Sequence, residues 1–202
     1  NNSAKEAAAA AGGCVLVRRT ALEDAGGFSE LSRAVIDDCA LAREINDSTE
    51  DGIWLGLSHL VKSLRSYGSL GEIWKTISRS AFSQLNYSTA LLLGTVIGMF
   101  LLFLVPPASV GLGLFHLIGA SSGPQVSLAG ILTGVGGLTW LIAGGSLIPI
   151  LSWYGLTPAF SLLAPVGGFL YTLMTIDSGL SWWTGKGNRW KGRVIRAEDK
   201  EV

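Results

Sequence analysis

Ser88-Thr89-Ala90-Leu91-Leu92-Leu93-Gly94-Thr95-Val96-Ile97-Gly98-Met99-Phe100-Leu101-Leu102-Phe103-Leu104-Val105 is an unbroken uncharged run, closed by Pro106-Pro107. As a helix it is long enough to cross a hydrocarbon core about 30 Å thick, which takes about 20 apolar residues. It belongs to a wider block. Between Ser80 and Ile176 there is no Asp, Glu, Lys or Arg, and His116 is the one histidine. All 15 basic and 15 acidic residues lie in the two ends of the chain. A charge at the centre of a bilayer costs about 2.5–3.5 kcal/mol on the most lenient scale, whereas a water-soluble domain needs charged surface along its whole length. The block therefore reads as lipid-embedded. Val126 to Leu151 and Ala159 to Ile176 are further candidate spans. Val110 to Ala120 is apolar but short, either a re-entrant segment or a thin fourth crossing. Gly94, Gly98, Gly134, Gly136, Gly137, Gly144 and Gly145 allow close helix approach. Trp153, Tyr154, Trp182, Trp183 and Trp190 suit the aromatic belts of an interface.

The formal net charge is zero, so no overall field draws the chain to nucleic acid or another polyanion. Locally, Lys62, Arg65, Lys75 and Arg79 precede the block and Lys186, Arg189, Lys191, Arg193 and Arg196 follow it. Two basic flanks on one cytoplasmic face demand an even number of crossings. Parity thus favours four crossings, or two with one segment lying down, where hydropathy alone reads three. Cys14 and Cys39 have no Cys or His at zinc-ligand spacing and read as small buried thiols of a cytosolic part. The chain opens on Asn1, has no methionine before Met99, and starts inside an Ala-rich helical pattern. It is read as the C-terminal part of a longer protein.

The polar first third alternates short elements. Residues 3–11 favour helix, Gly12-Gly13 breaks it, and Cys14 to Val17 is a short β-type run. Thr20, with Glu23 as the partner of a capping box, opens a helix that Gly26-Gly27 ends. A short helix near Glu30 to Ala34 leads through Val35-Ile36 to Asp37-Asp38, at the start of a helix over Cys39 to Ile45. Ile53 to Leu57 alternates as a strand. This alternation predicts a layered α/β domain. The expected organisation is a cytoplasmic domain over 1–68, an interface helix over 69–87, transmembrane helices over 88–178 and a basic tail over 179–202. In the interface helix Ile73, Trp74, Ile77, Ala81, Phe82 and Leu85 share one face, with Lys75, Arg79 and Gln84 off it.

Asp37-Asp38 carries the strongest chemical signal. Two carboxylates at the positive end of a helix dipole are held in direction, as a general base requires, although Asp is also a common helix cap. His116 is a lone residue on an apolar stretch and reads as interfacial. Asp177, at the end of the last span, reads as a boundary residue.

Three ordered stretches carry a resemblance: Gly12-Gly13-Cys14-Val15-Leu16-Val17-Arg18-Arg19, then Ala21-Leu22 with Gly26-Gly27-Phe28, then Ile36-Asp37-Asp38-Cys39-Ala40-Leu41-Ala42. With Trp54-Leu55-Gly56-Leu57, Ser63-Leu64-Arg65, Ala81-Phe82-Ser83-Gln84-Leu85, Tyr154-Gly155-Leu156 and Trp190-Lys191-Gly192-Arg193, the chain resembles the C-terminal portion of membrane-bound family 2 glycosyltransferases, in the hopene-associated subgroup. The resemblance implies the C-terminal part of a GT-A type α/β domain followed by an α-helical transmembrane domain. It implies Asp38 as catalytic base, with Asp37 before it and Leu41 at the matching Leu. The reaction would move a sugar with inversion from a nucleotide sugar to a membrane lipid hydroxyl of hopanoid or isoprenoid type. The implied setting is a multi-pass protein of a bacterial inner membrane, with its catalytic part cytoplasmic. Gly12, Gly13, Cys14, Arg79, Gln84, Asn86 and Tyr87 are the implied acceptor- or donor-site candidates. Related synthases carry Gln/Arg-x-x-Arg-Trp on the interface helix, and the corresponding Ser83 to Tyr87 lacks its Arg and Trp. A divalent metal, Mg or Mn, is implied for the intact enzyme. Its ligands are not in this chain, which has no Asp-x-Asp and no Gly-rich phosphate loop in its polar third. The 202 residues alone are therefore expected not to turn over a sugar nucleotide. The alternative class is a non-catalytic polytopic membrane subunit. A coupled transporter is disfavoured because His116 is the one titratable group available inside the block.

Overall fold

The computed structural model describes residues 8–28, 37–49, 52–64, 66–119, 122–185, 188–190 and 193–195. The chain divides into two compact units, Asn1–Ile73 and Trp74–Val202.

Among its described residues the first unit is helical where it is regular. Helix α1 is Arg19–Asp24 and α2 is Asp37–Ser48. Ala25, Leu41 and Ile45 are buried together, and Val17, Ala21, Leu22 and Ile53 pack against them. The expected α/β fold is overturned. Among the described residues of this unit no strand forms, and the one sheet found is a short antiparallel pair far downstream, β1 (Asn188–Trp190) with β2 (Arg193–Ile195). The reason lies in the two apolar runs that read as strands. A strand needs a neighbour for its N–H and C=O groups, and an isolated short one is not stable in water. Of Cys14 to Val17 only Val17 reaches the core, and of Ile53 to Leu57 only Ile53 does. The rest of both runs is exposed. Helix α1 also starts differently from the reading. Its N-cap position is Arg18, with no side-chain cap, so the Thr20 capping box does not form. Glu23 instead meets Arg19 Nε at 2.7 Å on the exposed face. Residues 8–11, the described part of the expected first helix, are not helical. The expected helix at Glu30–Ala34 and the Val35-Ile36 step lie outside the described residues.

Helix α3, Leu70–Gln84, runs from the end of the first unit into the second. Two residues with left-handed backbone, Asn86 (φ 51°) and Tyr87 (φ 54°), turn the chain after it. Ser88 Oγ accepts the Leu91 N–H at 3.3 Å and caps α4.

Among the described residues three helices are long and apolar enough to span a membrane: Thr89–Gly119, Gly123–Trp153 and Pro158–Trp183. The first is continuous through Pro106-Pro107, where the sequence predicts a stop. It consists of α4 (Thr89–Met99), a π-helical turn (Phe100–Leu104) and α5 (Val105–Gly119). Proline has no N–H to offer the carbonyl one turn back and crowds it. Widening the preceding turn to π geometry moves those carbonyls out of the way, and the Val105 N–H bonds Phe100 O across that wider turn. Val110 to Gly119 is thus the second half of the first long helix rather than a separate crossing. Among the described residues the membrane-length helices number three, the count that hydropathy reads; flank-charge parity favours four crossings, or two with one segment lying down.

The second long helix is α6 (Gly123–Gly145), a turn at Ser146-Leu147, and α7 (Ile148–Trp153). The third opens with a 3₁₀ turn (Pro158–Leu163) and continues as α8 (Ala164–Trp183). Glycines set how closely they pack. A Cβ on Gly136 would lie 2.8 Å from Pro106 O and from Ser109 Cβ, and one on Gly113 would lie 2.8 Å from Ala129 O. These pairs run α5 and α6 antiparallel with backbones nearly touching. On α8, a Cβ on Gly179 would lie 2.6 Å from Leu92 Cδ2, and one on Gly168 would strike the Phe103 ring. The third helix is the most enclosed, with 39% of its apolar window buried against 11% for each of the others. It is therefore the packing centre. Its buried hydroxyls are satisfied within the helix: Thr172 Oγ1 donates to Gly168 O at 2.7 Å and Thr175 Oγ1 to Tyr171 O at 2.8 Å.

Candidate functional site

The Asp-Asp pair occupies the first turn of α2. Leu41, Ala42 and Ile45 bury one face of that helix, which fixes where its N-terminus points. Asp38 is half-buried and Asp37 is exposed. Each oxygen of Asp38 accepts a backbone N–H. Gly12 donates to Oδ2 at 2.6 Å and Cys39 donates to Oδ1 at 2.8 Å. Asp37 Oδ1 in turn accepts the Asp38 N–H at 3.1 Å. The Asp38 carboxylate is therefore held at both oxygens by main chain. An ionised carboxylate offers about four acceptor directions, so capacity remains for a proton from a third party.

The Gly12 contact brings together two of the stretches singled out in the sequence, 26 residues apart. The contact is tight: a Cβ at residue 12 would sit 3.0 Å from Asp38 Oδ2 and 3.3 Å from its Cβ, so the carboxylate would have to give by a few tenths of an ångström. Gly13 faces open space and Cys14 is exposed, its N–H bonded to Ala11 O at 3.3 Å. Cys14 is thus not the buried small residue expected. Cys39, half-buried, contributes its main-chain N–H to Asp38.

The other candidates lie in the second unit. Arg79 is half-buried on α3, with its Nε shielded from solvent. Gln84 ends α3 and is exposed, and Asn86 is exposed in the turn. Tyr87 stacks on Trp182 with ring centroids 4.0 Å apart and meets Phe82 edge-on at 5.6 Å. Burial raises the Tyr87 hydroxyl above its ordinary value, because the charged phenolate is poorly solvated there. Phe82, with no exposed surface, also meets Trp183 at 5.8 Å.

Two interactions that the sequence reading did not identify hold this cluster. Trp74 Nε1 donates to Asp177 Oδ2 at 2.8 Å, and the Phe82 N–H donates to Ser178 Oγ at 3.0 Å. They fasten two turns of α3 to one point near the end of α8. Asp177 is more than a boundary residue: it is the acceptor for an indole N–H 103 positions earlier. A signal was present, since a carboxylate that ends a charge-free block needs a donor.

Among the described residues no group of three or more His, Cys, Asp or Glu side chains is placed to hold a metal ion. The Asp37-Asp38 pair alone does not make a ligand set, and both Asp38 oxygens already accept main-chain N–H groups. The described residues therefore do not by themselves fit the divalent metal that the family resemblance implies for the intact enzyme. Comparison with family models, curated proteins and solved structures finds no match for this chain.

Proposed function

We propose that this chain is the acceptor-side and membrane part of an inverting glycosyltransferase that moves a sugar from a nucleotide sugar to a lipid hydroxyl of hopanoid or isoprenoid type. The observation that carries the reading is the Gly12 N–H bond to Asp38 Oδ2, which joins the Gly-Gly-Cys and Asp-Asp stretches of the family resemblance at one carboxylate. The proposal rests on that carboxylate and its surroundings, not on a GT-A sheet, which the described residues lack. Asp38 takes the proton from the acceptor hydroxyl. The hydroxyl oxygen forms the new bond to the anomeric carbon from the face opposite the nucleotide, whose diphosphate leaves with the bonding pair. Main-chain N–H groups on both carboxylate oxygens support this role, because they fix direction without occupying every lone pair. The three apolar helices support a lipid acceptor, which would reach the base from the bilayer. The bacterial inner membrane, with Asp38 on its cytoplasmic side, is part of the same proposal.

The test is Asp38→Asn at the native locus, with transfer of radiolabelled sugar into lipid extracts of native membranes as the readout. Asn keeps an oxygen for the Gly12 N–H but cannot take a proton, so transfer falls about 10²–10⁴-fold while the protein stays in the membrane. Undiminished transfer refutes the assignment.

A second reading, a non-catalytic polytopic subunit, is favoured by one observation. The carboxylate at the end of the spans, Asp177, is already engaged with Trp74 in holding helices together. On that reading the Asp38→Asn substitution leaves every transfer activity of the membrane unchanged.

A further inference from the structure

Residues 52–64 and 66–69 form a connecting strap without helix or strand. Both ends are tied. Ile53 packs against the core of the first unit, and the Gly68 N–H donates to Glu72 Oε2 at 3.0 Å in the first turn of α3. Between these ties Leu60 and Leu64 stand almost fully exposed, while the Trp54 ring lies over Gly56 with its outer face open. Trp54 is 73% exposed, Leu60 97% and Leu64 99%, and Leu55, Leu57, Val61 and Tyr67 are exposed as well. So many exposed large apolar side chains along one tethered segment mark an interaction site.

We propose that this strap is a membrane-docking element that inserts Leu60, Leu64 and Trp54 into the headgroup boundary of an anionic bilayer. Two observations select lipid over a protein partner. The first is charge. From Gly52 to Gly71 the sequence carries Lys62 and Arg65 and no acid, and Lys62 is exposed among the leucines. Basic residues interleaved with Trp and Leu match an anionic headgroup layer above acyl chains. The second is continuity with the apolar spans. The strap runs directly into α3, and α3 is separated from the first membrane-length helix by only the turn at 85–88. At 1.5 Å per residue the 15-residue α3 is about 22 Å long, so chain connectivity keeps the strap within reach of a bilayer that holds that helix. Lys62 then contributes through headgroup attraction, and the leucines through burial of surface that water covers otherwise. The inference does not rest on the transferase reading.

The test places single cysteines at Leu60, Leu64 and, as a control, Ser48, which is exposed on α2. The background is Cys14→Ser with Cys39→Ala, matched to the native chain by far-ultraviolet circular dichroism. Each variant is labelled with an environment-sensitive fluorophore. The full chain is reconstituted in phosphatidylcholine–phosphatidylglycerol vesicles, with or without doxyl-labelled lipid. The expected result is at least twofold quenching by doxyl lipid at 60 and 64 and none at 48. Adding Lys62→Glu lowers the quenching at 60 by at least half. Quenching at 60 and 64 no greater than at 48 overturns the proposal. So does a label shielded from aqueous iodide yet untouched by doxyl lipid, which means that protein covers the strap. Quenching unaffected by Lys62→Glu overturns the anionic-headgroup part.

Discussion

The bond from Trp74 Nε1 to Asp177 Oδ2 makes a sharp quantitative prediction. At 2.8 Å between two half-buried side chains, it should couple α3 to α8 directly. Hydrogen bonds to carboxylates contribute about 1.5–3 kcal/mol, and half-exposure places this one at the lower end, near 1.5 kcal/mol. Trp74→Phe keeps a ring and removes the N–H. Asp177→Ala removes the acceptor. Each single change should destabilise the chain, the first by more than the bond alone because indole packing is also lost. The double variant should be less destabilised than the sum by about 1.5 kcal/mol, roughly a tenfold discrepancy in the unfolding constant, because the bond is lost only once. Asp177→Asn retains an acceptor oxygen and should cost less than Asp177→Ala. The assay is reversible unfolding by sodium dodecyl sulfate in mixed micelles, followed by circular dichroism. Additivity within about 0.5 kcal/mol, the level expected of independent sites, would falsify the claim that this bond fastens the interface helix to the last span.

Three further outcomes follow from distances already given. Gly12→Ala puts a Cβ 3.0 Å from Asp38 Oδ2, so on the transferase reading lipid glycosylation should drop about tenfold with little change in stability, since 1 Å of misplacement at a reacting group costs about 10²-fold; unchanged transfer counts against Gly12 as the group that sets the carboxylate. Gly136→Ala should destabilise the helical unit by about 1–3 kcal/mol through overpacking against Pro106 and Ser109, whereas Gly134→Ala, which meets nothing within 4 Å, should be neutral or mildly stabilising in the same unfolding assay; equal effects refute the close α5–α6 packing. The Tyr87 hydroxyl, raised from 10.0 by burial, favours its neutral form in the folded chain, so the stability linked to it is complete below pH 10 and is lost as pH rises through the folded-state value; Tyr87→Phe should flatten that alkaline decline, and an identical decline in the variant refutes the burial.

Legibility followed the physics of each signal. The membrane-length helices were readable because exclusion of charge from lipid acts on every residue of a segment independently of its neighbours. Helix α2 and the amphipathic face of α3 were readable for a similar reason, since local periodicity specifies which face is buried. The proline pair misled because the cost of Pro106-Pro107 was absorbed by the turn before it, Phe100–Leu104, whose residues carry no mark of π geometry. The strands at Cys14–Val17 and Ile53–Leu57 misled because β-propensity has no consequence without a neighbouring strand to pair with, and the described residues supply none. At the candidate site, Asp37, Asp38 and Gly12 were named from sequence, but the bond joining them spans 26 residues and no periodicity encodes it.

By itself, then, the sequence determined that a charge-free middle forms apolar helices of membrane length, and that an acidic pair opens a helix in the polar third. Both follow from local composition and spacing. Only the tertiary structure decided that the described residues of the polar third form helices and no sheet, that Asp38 is set by the Gly12 main chain, and that Asp177 holds Trp74. Those outcomes depend on contacts between residues distant along the chain. Whether a strand finds a partner, a carboxylate a donor, or a glycine a neighbouring backbone is settled by three-dimensional proximity, which no local pattern of residues contains.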